Sequence, residues 1–302
     1  MMIIVSYGGG TNSTAMLIGM REQGLKPDAI IFCDTKGEKP HTYKHIEVVS
    51  KWCIENGFPE IIKLTNEKAS RKGGLENMCL EAKSLPSIAY GFKTCSLIFK
   101  KEPFDDWIKA QGITKFERWI GIDAGEPNRA KVFEGTRYPL IEWGWGRKEC
   151  VEAIARAKLP QPGKSACFFC PSSKQHEILE LKKQYPELAA RAVAMEKNAI
   201  PENERFITCN DCKGTKIVKK YTEIDNEHLE FEEDDCVICH EKEVIEYIQC
   251  PKCKGSGLMQ REVVGLGRNY AWADLIRFDE DQYDLFEETD LPVICECYDG
   301  CA

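Results

Sequence analysis

The residues with the clearest chemical potential form a glycine-rich turn close to the N-terminus. Apolar residues precede this turn over 2–7 and follow it over 15–20. The turn consists of three glycines and four small polar residues: Gly8, Gly9, Gly10, Thr11, Asn12, Ser13 and Thr14. Because glycine lets the backbone approach a ligand and a helix N-terminus presents unpaired N–H groups, the turn predicts a phosphate or pyrophosphate site. The alternative is a plain strand-to-helix turn in which Thr11 or Asn12 caps the helix.

The cysteines are the second group of residues suited to chemistry, and there are 16 of them in 302 residues. Eight fall into Cys-x-x-Cys pairs: Cys167 and Cys170, Cys209 and Cys212, Cys236 and Cys239, Cys250 and Cys253. Such pairs are typical of zinc or iron–sulfur sites. The first residues lack the basic region of a signal peptide, so the pairs predict a reducing, cytoplasmic location rather than disulfides.

Two of these pairs predict a zinc site together. The segments CNDCKG at 209–214 and CPKCKG at 250–255 are similar to each other and resemble the zinc knuckles of J-domain chaperones. Four thiolates from two knuckles would form a closed, structural zinc site. The third pair, Cys236 and Cys239, would bind a second zinc ion with His228, His240 or tail cysteines, or would be a spare half-site.

An alternation of strand and helix patterns must position these groups. Strand patterns occur at 2–7, 29–33, 60–64 and 116–122, and helical patterns at 42–54, 96–110, 147–158 and 175–197. This order predicts an α/β fold with a mostly parallel sheet and helices on both faces. The polar residues that follow strand ends, including Asp34, Thr35 and Asp123, are then expected to line one crevice with the glycine turn.

Composition sets the domain organisation and excludes some functions. The net charge of −8 argues against a protein that coats nucleic acid through its overall charge, and no apolar run approaches the ~20 residues of a membrane span. We expect a main domain over 1–200, and a small Cys-rich zinc-binding module over 205–260, here called the knuckle module, which has too few apolar residues for its own core. The tail over 261–302 contains Tyr270, Trp272 and Leu275 and is expected to pack back on the main domain.

Several segments in the first 200 residues together resemble a known family. They are CDTKGEKPHT at 33–42, TCS at 94–96 followed by FKKEP at 99–103, GIDAGEPNR at 121–129, YPLIEW at 138–143 and CFFCP at 167–171. In this order they resemble the phosphoadenosine phosphosulfate (PAPS) reductase-like branch of the PP-loop ATP pyrophosphatase superfamily, also called adenine nucleotide alpha hydrolase-like, and most of all its phage-type members. The glycine turn is similar to the PP-loop Ser-Gly-Gly-x-Asp-Ser, with Gly8 and Asn12 in place of the first Ser and the Asp. Asp123 likewise stands where the family often has Arg.

The resemblance implies a Rossmann-like sheet and an adenine nucleotide, ATP or a relative, bound with Mg. It implies nucleotide contacts by Gly8–Thr14, Thr35 and Lys100, and catalytic roles for Asn12, Ser13, Asp34, Arg129 and Cys95. Arg129 would grip phosphate, although a surface salt bridge is the alternative. Asp34 would hold the magnesium ion or cap the next helix. A phage-encoded protein would work in the host cytoplasm.

Cys95, Cys167 and Cys170 allow three interpretations. By resemblance to PP-loop enzymes that thiolate tRNA, they would hold a [4Fe-4S] cluster with one iron open to carry sulfur. With another ligand they would bind zinc, and as plain buried thiols they would be inert. The tail cysteines 295, 297 and 301 are a separate question, because Glu296-Cys297 resembles a dipeptide of the mobile reductase tail while a metal-binding tail is equally compatible.

Three functions follow from these observations. The first is ATP-dependent adenylylation and sulfur transfer to an acceptor such as a nucleic acid. The second is a PAPS or adenylylsulfate reductase that forms sulfite. The third is an adaptor that binds a nucleotide without turnover. In each case the knuckle module would dock a nucleic acid or a protein partner; its lysines at 213, 216, 219 and 220 favour nucleic acid and its acidic loop over 230–235 opposes it.

Overall fold

The computed structural model describes residues 1–71, 73–201, 204–221, 244–256, 258–260 and 262–277. Contacts divide the chain into two compact units, Met1–Ala199 with the chain from Gly265, and Ile200–Val264. The predicted boundaries at 200, 205 and 261 stay a prediction, because the tail beyond residue 277 lies outside the described residues.

A five-stranded parallel sheet forms the centre of the first unit and confirms the predicted α/β class. The strands are β1 (Met2–Ser6), β2 (Ala29–Cys33), β3 (Ile61–Leu64), β4 (Phe116–Ile120) and β5 (Thr136–Arg137), in the order β3-β2-β1-β4-β5. Ile4, Val5 and Ile30 are fully buried, as expected for strands covered on both faces. Because the strand order changes direction at β1, the carboxyl ends of β1 and β4 form the crevice in which such sheets bind ligands.

Helices cover both faces of the sheet. One face packs against α1 (Thr11–Glu22), α2 (Pro40–Glu55), α7 (Pro139–Glu142) and α8 (Arg147–Arg156), and the other packs against α6 (Glu102–Ala110). Further helices are α3 (Glu67–Arg71), α4 (Leu75–Glu81), α5 (Thr94–Ser96), α9 (Gln175–Gln184) and α10 (Pro186–Ala199). Short 3-10 turns occupy Ser87–Tyr90 and Pro127–Arg129, and Leu97–Lys101 is a π-helical turn between α5 and α6.

The predicted single helix over 175–197 is wrong, because the structure has two helices there. α9 ends at Gln184 and α10 begins at Pro186. Proline lacks the N–H that a continuous helix needs and disfavours helical backbone at the residue before it, and Tyr185 accordingly has φ −143°. The short helices α3 and α4 were not predicted, since neither is long enough to show a clear periodicity.

Glu196 in α10 ties the segment after the knuckle module to the first unit. Its carboxylate is fully buried and accepts the backbone N–H groups of Leu266 at 2.7 Å, Trp272 at 2.9 Å and Ala273 at 3.0 Å. A Cβ on Gly265 would lie 2.5 Å from Glu196 Oε2, so a glycine is needed for this close approach. The first unit therefore resumes after residue 264 beside α10, the helix that precedes the second unit.

The described residues of the second unit form two antiparallel ribbons and a cluster of four cysteines. One ribbon pairs β6 (Phe206–Thr208) with β9 (Leu258–Gln260), and the other pairs β7 (Ile217–Tyr221) with β8 (Val244–Gln249). The buried cluster contains Cys209, Cys212, Cys250 and Cys253. Across the described parts of both units, no helix combines the length and apolarity that crossing a membrane requires.

Candidate active site and metal centre

The glycine turn is held between α2 and the end of β4. Helix α1 begins at Thr11 with Gly10 as its N-cap, one residue before the nearer of the two predicted caps. Gly9 has φ +74°, and a Cβ there would lie 2.9 Å from the Thr42 side chain. On the other side, a Cβ on Gly121 would lie 2.9 Å from the Asn12 carbonyl. The backbone of the turn is thus fixed by close packing before any ligand binds.

An open cleft of about 1040 Å³ lies at the α1 N-terminus. Of the residues predicted to bind or turn over a nucleotide, seven line it: Gly8, Gly10, Thr11, Asn12, Ser13, Lys100 and Arg129. Gly9 and Thr14 lie behind the turn, and Asp34, Thr35 and Cys95 are outside the lining. A cleft of this volume has room for a nucleotide and part of a second substrate.

Four cations face this cleft without a carboxylate partner among the described residues: Lys100, Arg118, Arg147 and Lys174. Arg118 donates from Nε to Ser6 Oγ at 2.8 Å and stacks over the Phe104 ring at 4.0 Å. Desolvation opposes the charge on Lys100, but Glu38 and nearby cysteines outweigh it and raise the pKa of Lys100. The site therefore presents positive charge to a polyphosphate.

Two other cations in the lining already have acidic partners. Arg129, predicted to grip phosphate, pairs with Glu126 within the same 3-10 turn and is exposed. Lys164 pairs with Glu177, which also lines the cleft. A phosphate would have to compete with these carboxylates for both side chains.

The two departures from the family pattern contact each other. Asn12 Nδ2 donates to Asp123 Oδ2 at 2.9 Å, although 111 residues separate them. Asp123 is 6% exposed, and its Oδ1 accepts the N–H of Gly125 at 2.9 Å. Asn12 Oδ1 is buried and has no hydrogen-bond partner. The Asn12 amide nitrogen is therefore paired with the Asp123 carboxylate, whereas the Asn12 amide oxygen is unpaired.

A buried polar chain supports the turn from below. The Thr14 hydroxyl contacts Tyr7 OH at 3.0 Å and His45 Nε2 at 3.0 Å, and all three side chains are buried. Burial lowers the pKa of His45 to about 4, helped by the neighbouring His41. His45 is therefore neutral at neutral pH, and its contact fixes the first turn of α1.

Asp34 and Thr35 lie outside the cleft lining, and their contacts are with other groups. Asp34 Oδ1 accepts the Lys36 N–H at 2.8 Å and the Tyr43 hydroxyl at 2.8 Å, so Asp34 closes a local turn. Thr35 Oγ1 lies 3.0 Å from Cys167 Sγ. The two predicted nucleotide-site residues thus position the loop that packs on Cys167.

Cys95, Cys167 and Cys170 are each partly exposed. Burial raises the pKa of Cys170, and the nearby Cys95 adds to this rise. Burial also raises the pKa of Cys167, and Glu38 raises it further. The three sulfurs do not come within the 4.8 Å of one another that marks a single-ion site among the described residues.

The four knuckle cysteines do converge in this way. Their sulfurs all lie within 4.8 Å of one another, with Cys209 to Cys250 at 3.9 Å and Cys212 to Cys253 at 3.7 Å. A tetrahedral zinc ion with Zn–S bonds of about 2.3 Å needs sulfurs about 3.8 Å apart. All four residues are buried, so this group could hold a metal ion as a closed structural site.

The two knuckles repeat the same backbone. Lys213 and Gly214 have φ +48° and +85°, and Lys254 and Gly255 have φ +49° and +75°. The other predicted cysteine ligands, Cys236 and Cys239, lie outside the described residues, as do His228, His240 and the tail cysteines.

Sequence reasoning assigned no role to Arg118, Arg147, Glu38 or His45. Arg118 is a charged residue inside a strand, and such a residue usually faces a cleft or a partner. Glu38 lies in the segment CDTKGEKPHT at 33–42. Its burial depends on packing against Cys167, which no local pattern encodes.

No family model matches the chain. The uncharacterized protein MJ0066 of Methanocaldococcus jannaschii is 25% identical over 202 residues, which are 62% of this chain and 39% of that protein, so the chain spans about two-fifths of its relative's length. The U34-tRNA thiolase NcsA from Methanococcus maripaludis, solved with its [4Fe-4S] cluster, is similar over 64% of this chain and 70% of its own, with 15% identity and a TM-score of 0.38. A predicted tRNA methyltransferase subunit from Methanocaldococcus jannaschii is similar over 63% of this chain and 91% of its own, with 18% identity and a TM-score of 0.32.

Proposed function

We propose that this chain is a PP-loop enzyme of the PAPS reductase-like branch that uses ATP to adenylylate an acceptor and then transfers sulfur to it. One observation carries the proposal: the α1 N-terminus and four cations without acidic partners among the described residues open into the same cleft. Helix N-terminal amides and Arg or Lys side chains are the groups that bind polyphosphates. A nucleic acid is the acceptor that we favour.

The reaction consists of two displacements. An acceptor oxygen attacks the α-phosphorus of ATP, and pyrophosphate leaves. A sulfur nucleophile then attacks the adenylylated carbon, and AMP leaves. The amides at Gly10–Ser13 would bind the phosphates, while Lys100, Arg118 and Arg147 offset the charge that develops on pyrophosphate.

A magnesium ion accompanying the nucleotide fits the Asn12–Asp123 pair better than Asp34. Asp34 Oδ1 already accepts two hydrogen bonds and Asp34 lies outside the cleft lining. Asn12 Oδ1 is buried without a partner, and Asp123 lies beside it in the lining. Oxygen donors of this kind are the ligands that Mg²⁺ prefers.

The cysteines Cys95, Cys167 and Cys170 would hold the [4Fe-4S] cluster, which when bound supplies a site for sulfur. Thr35 would orient Cys167, because its hydroxyl contacts the Cys167 sulfur. Lys100 lines the cleft, and Cys167 and Cys170 help to raise the pKa of Lys100, so this side chain lies near both the cleft and the cysteines. The knuckle cysteines would hold zinc, and the knuckle module would dock the nucleic acid or a protein partner.

The test uses full-length protein purified without oxygen. Incubation with ATP, Mg²⁺, nucleic acid and sulfide should release AMP and pyrophosphate in equal amounts, and mass spectrometry should detect sulfur in nucleotides from cells that carry the gene. Cells without the gene are the control.

Two other results would replace the proposal. Sulfite formed from PAPS or adenylylsulfate with a thiol reductant and without ATP would identify a sulfonucleotide reductase. Tight ATP binding with no turnover in the reconstituted protein would identify a nucleotide-binding adaptor; the Asn12 and Asp123 replacements make this outcome worth measuring.

A further inference from the structure

Glu38 carries a buried carboxyl oxygen that nothing in the proposed reaction uses. The residue is 6% exposed, and its Oε2 has no hydrogen-bond partner. Burying a carboxyl oxygen without a hydrogen-bond partner is unfavourable. Such an atom usually marks a group that binds there.

The backbone places the Glu38 side chain beside Cys167. The two residues form an isolated antiparallel bridge, and the Phe168 N–H donates to the Gly37 carbonyl at 2.8 Å. Residues paired in this way have Cβ atoms about 5 Å apart on the same face. A Cβ on Gly37 would lie 2.8 Å from the Phe169 ring, so glycine at 37 lets the two segments approach closely.

The charges around Glu38 also belong to the cysteine group. Lys100 is close enough to Glu38, Cys167 and Cys170 for their charges to raise its pKa, but it forms no ion pair with any described residue. Cys95 acts on Cys170. Glu38 therefore lies beside Cys167 and shares the cation Lys100 with Cys167 and Cys170, and Cys95 is near Cys170.

The spacing of the group favours a multinuclear centre over a single ion. Neither the three sulfurs nor a carboxylate oxygen with two of them lie within 4.8 Å of one another among the described residues. A four-iron cluster is larger than a single ion and needs four ligands spread around it. Three cysteines supply three of them.

We propose that Glu38 is the fourth ligand of the iron–sulfur cluster held by Cys95, Cys167 and Cys170, bound through its carboxylate oxygen. This proposal rests on the proposed function for the cluster itself. It gives the orphaned oxygen a partner, and it places one exchangeable oxygen ligand among three thiolates. An oxygen-bound iron has an electronic environment different from that of three sulfur-bound irons, which can be measured without any turnover.

The experiment is ⁵⁷Fe Mössbauer spectroscopy on anaerobically reconstituted full-length protein. In the wild type, one iron in four should give a separate doublet. The variant Glu38→Gln should shift that doublet alone, and Glu38→Cys should merge it with the other three because every iron then has a thiolate ligand. Asp34→Asn is the matched control; it removes a nearby carboxylate that is already hydrogen-bonded, and should leave the spectrum unchanged.

Two outcomes would overturn the assignment. In one, the Glu38→Gln and Glu38→Cys spectra superimpose on that of the wild type. In the other, the wild type binds no iron under these conditions. Release of pyrophosphate from ATP, measured on the same samples, separates these failures from failure of the proposed adenylylation, because that step does not require the cluster.

Discussion

The four cysteines of the knuckle module lie at zinc spacing, whereas Cys95, Cys167 and Cys170 are more widely separated. The first group is fully surrounded by its own turns and buried, and the second is partly exposed beside an orphaned carboxylate and the cation Lys100. The comparison shows that one group has the closed geometry of a structural metal site and that the other does not. In the first unit the sheet and its helices form core clusters that do not include Cys95, Cys167 or Cys170.

The largest effect should follow from removing a knuckle ligand. We expect Cys212→Ser to abolish zinc binding and unfold the knuckle module, because structural zinc contributes on the order of 10 kcal/mol to such modules. Zinc analysis combined with limited proteolysis would detect both changes, with cleavage confined to residues near 200–264. A variant that keeps its protease resistance without zinc would remove the distinction between the two cysteine groups.

Removing a cysteine of the other group should change metal content without changing the fold. We expect Cys170→Ser to lose the iron while the free energy of unfolding changes by less than about 1 kcal/mol, since Cys170 is partly exposed. Iron analysis and thermal denaturation measure the two effects. Cys79→Ala, which removes a buried thiol near Cys95, is the control that should retain iron. If Cys170→Ser kept its full iron content, Cys170 would not be a ligand and the interpretation as an inert thiol would be favoured.

Acid should act on the two units through different groups. The pKa of His45 is lowered to about 4, below its unfolded value, so its stabilising contribution is present above pH 6.5 and is lost as the pH falls from 6.5 to 4. The contribution is up to about 3 kcal/mol. The difference in unfolding free energy between wild type and His45→Gln should shrink across this window; a constant difference would contradict the assignment. Zinc in the knuckle module is instead lost as its thiolates are protonated.

Nucleotide affinity should depend on the first unit alone. We expect Arg147→Ala to weaken ATP binding about tenfold, equivalent to ~1.4 kcal/mol, because it removes a cleft cation that has no acidic partner. Calorimetric titration measures the change. Lys148→Ala is the matched control, since Lys148 is exposed and pairs with Glu152 at 4.0 Å. Equal losses in both variants would indicate a general charge effect.

The smallest effect concerns the family serine at the glycine turn. A Cβ on Gly8 would meet only Ser13 Oγ at 3.8 Å, an ordinary contact. We therefore expect Gly8→Ser to change the unfolding free energy by no more than about 0.5 kcal/mol. Gly9→Ser should be clearly more destabilising, because Gly9 has φ +74° and faces Thr42. Denaturant titration of the two variants measures both changes in the free energy of unfolding, and equal values would contradict the tight packing of the turn at Gly9.

Local patterns were sufficient for four of the five strands of the sheet and for the turn, but not for the two-residue strand β5. The apolar runs at 2–7 and 29–33 predicted β1 and β2 because buried parallel strands are continuously apolar. Cys-x-x-Cys pairs predicted the knuckle site, since their ligands are close in sequence. The pairing of Asn12 with Asp123 and of Thr35 with Cys167 could not be predicted, because 111 and 132 residues separate the partners and only tertiary packing brings them together.

Because Glu196 binds the backbone after Gly265, the knuckle module has the position of an insertion into the first unit. The excursion over 200–264 leaves from α10 and returns to the same helix, so its two ends are held together by the first unit itself. The entropy of closing such a loop grows only with the logarithm of its length. An ancestor could therefore gain, lengthen or lose the module at this point while the sheet, the cleft and the cysteine group kept their geometry.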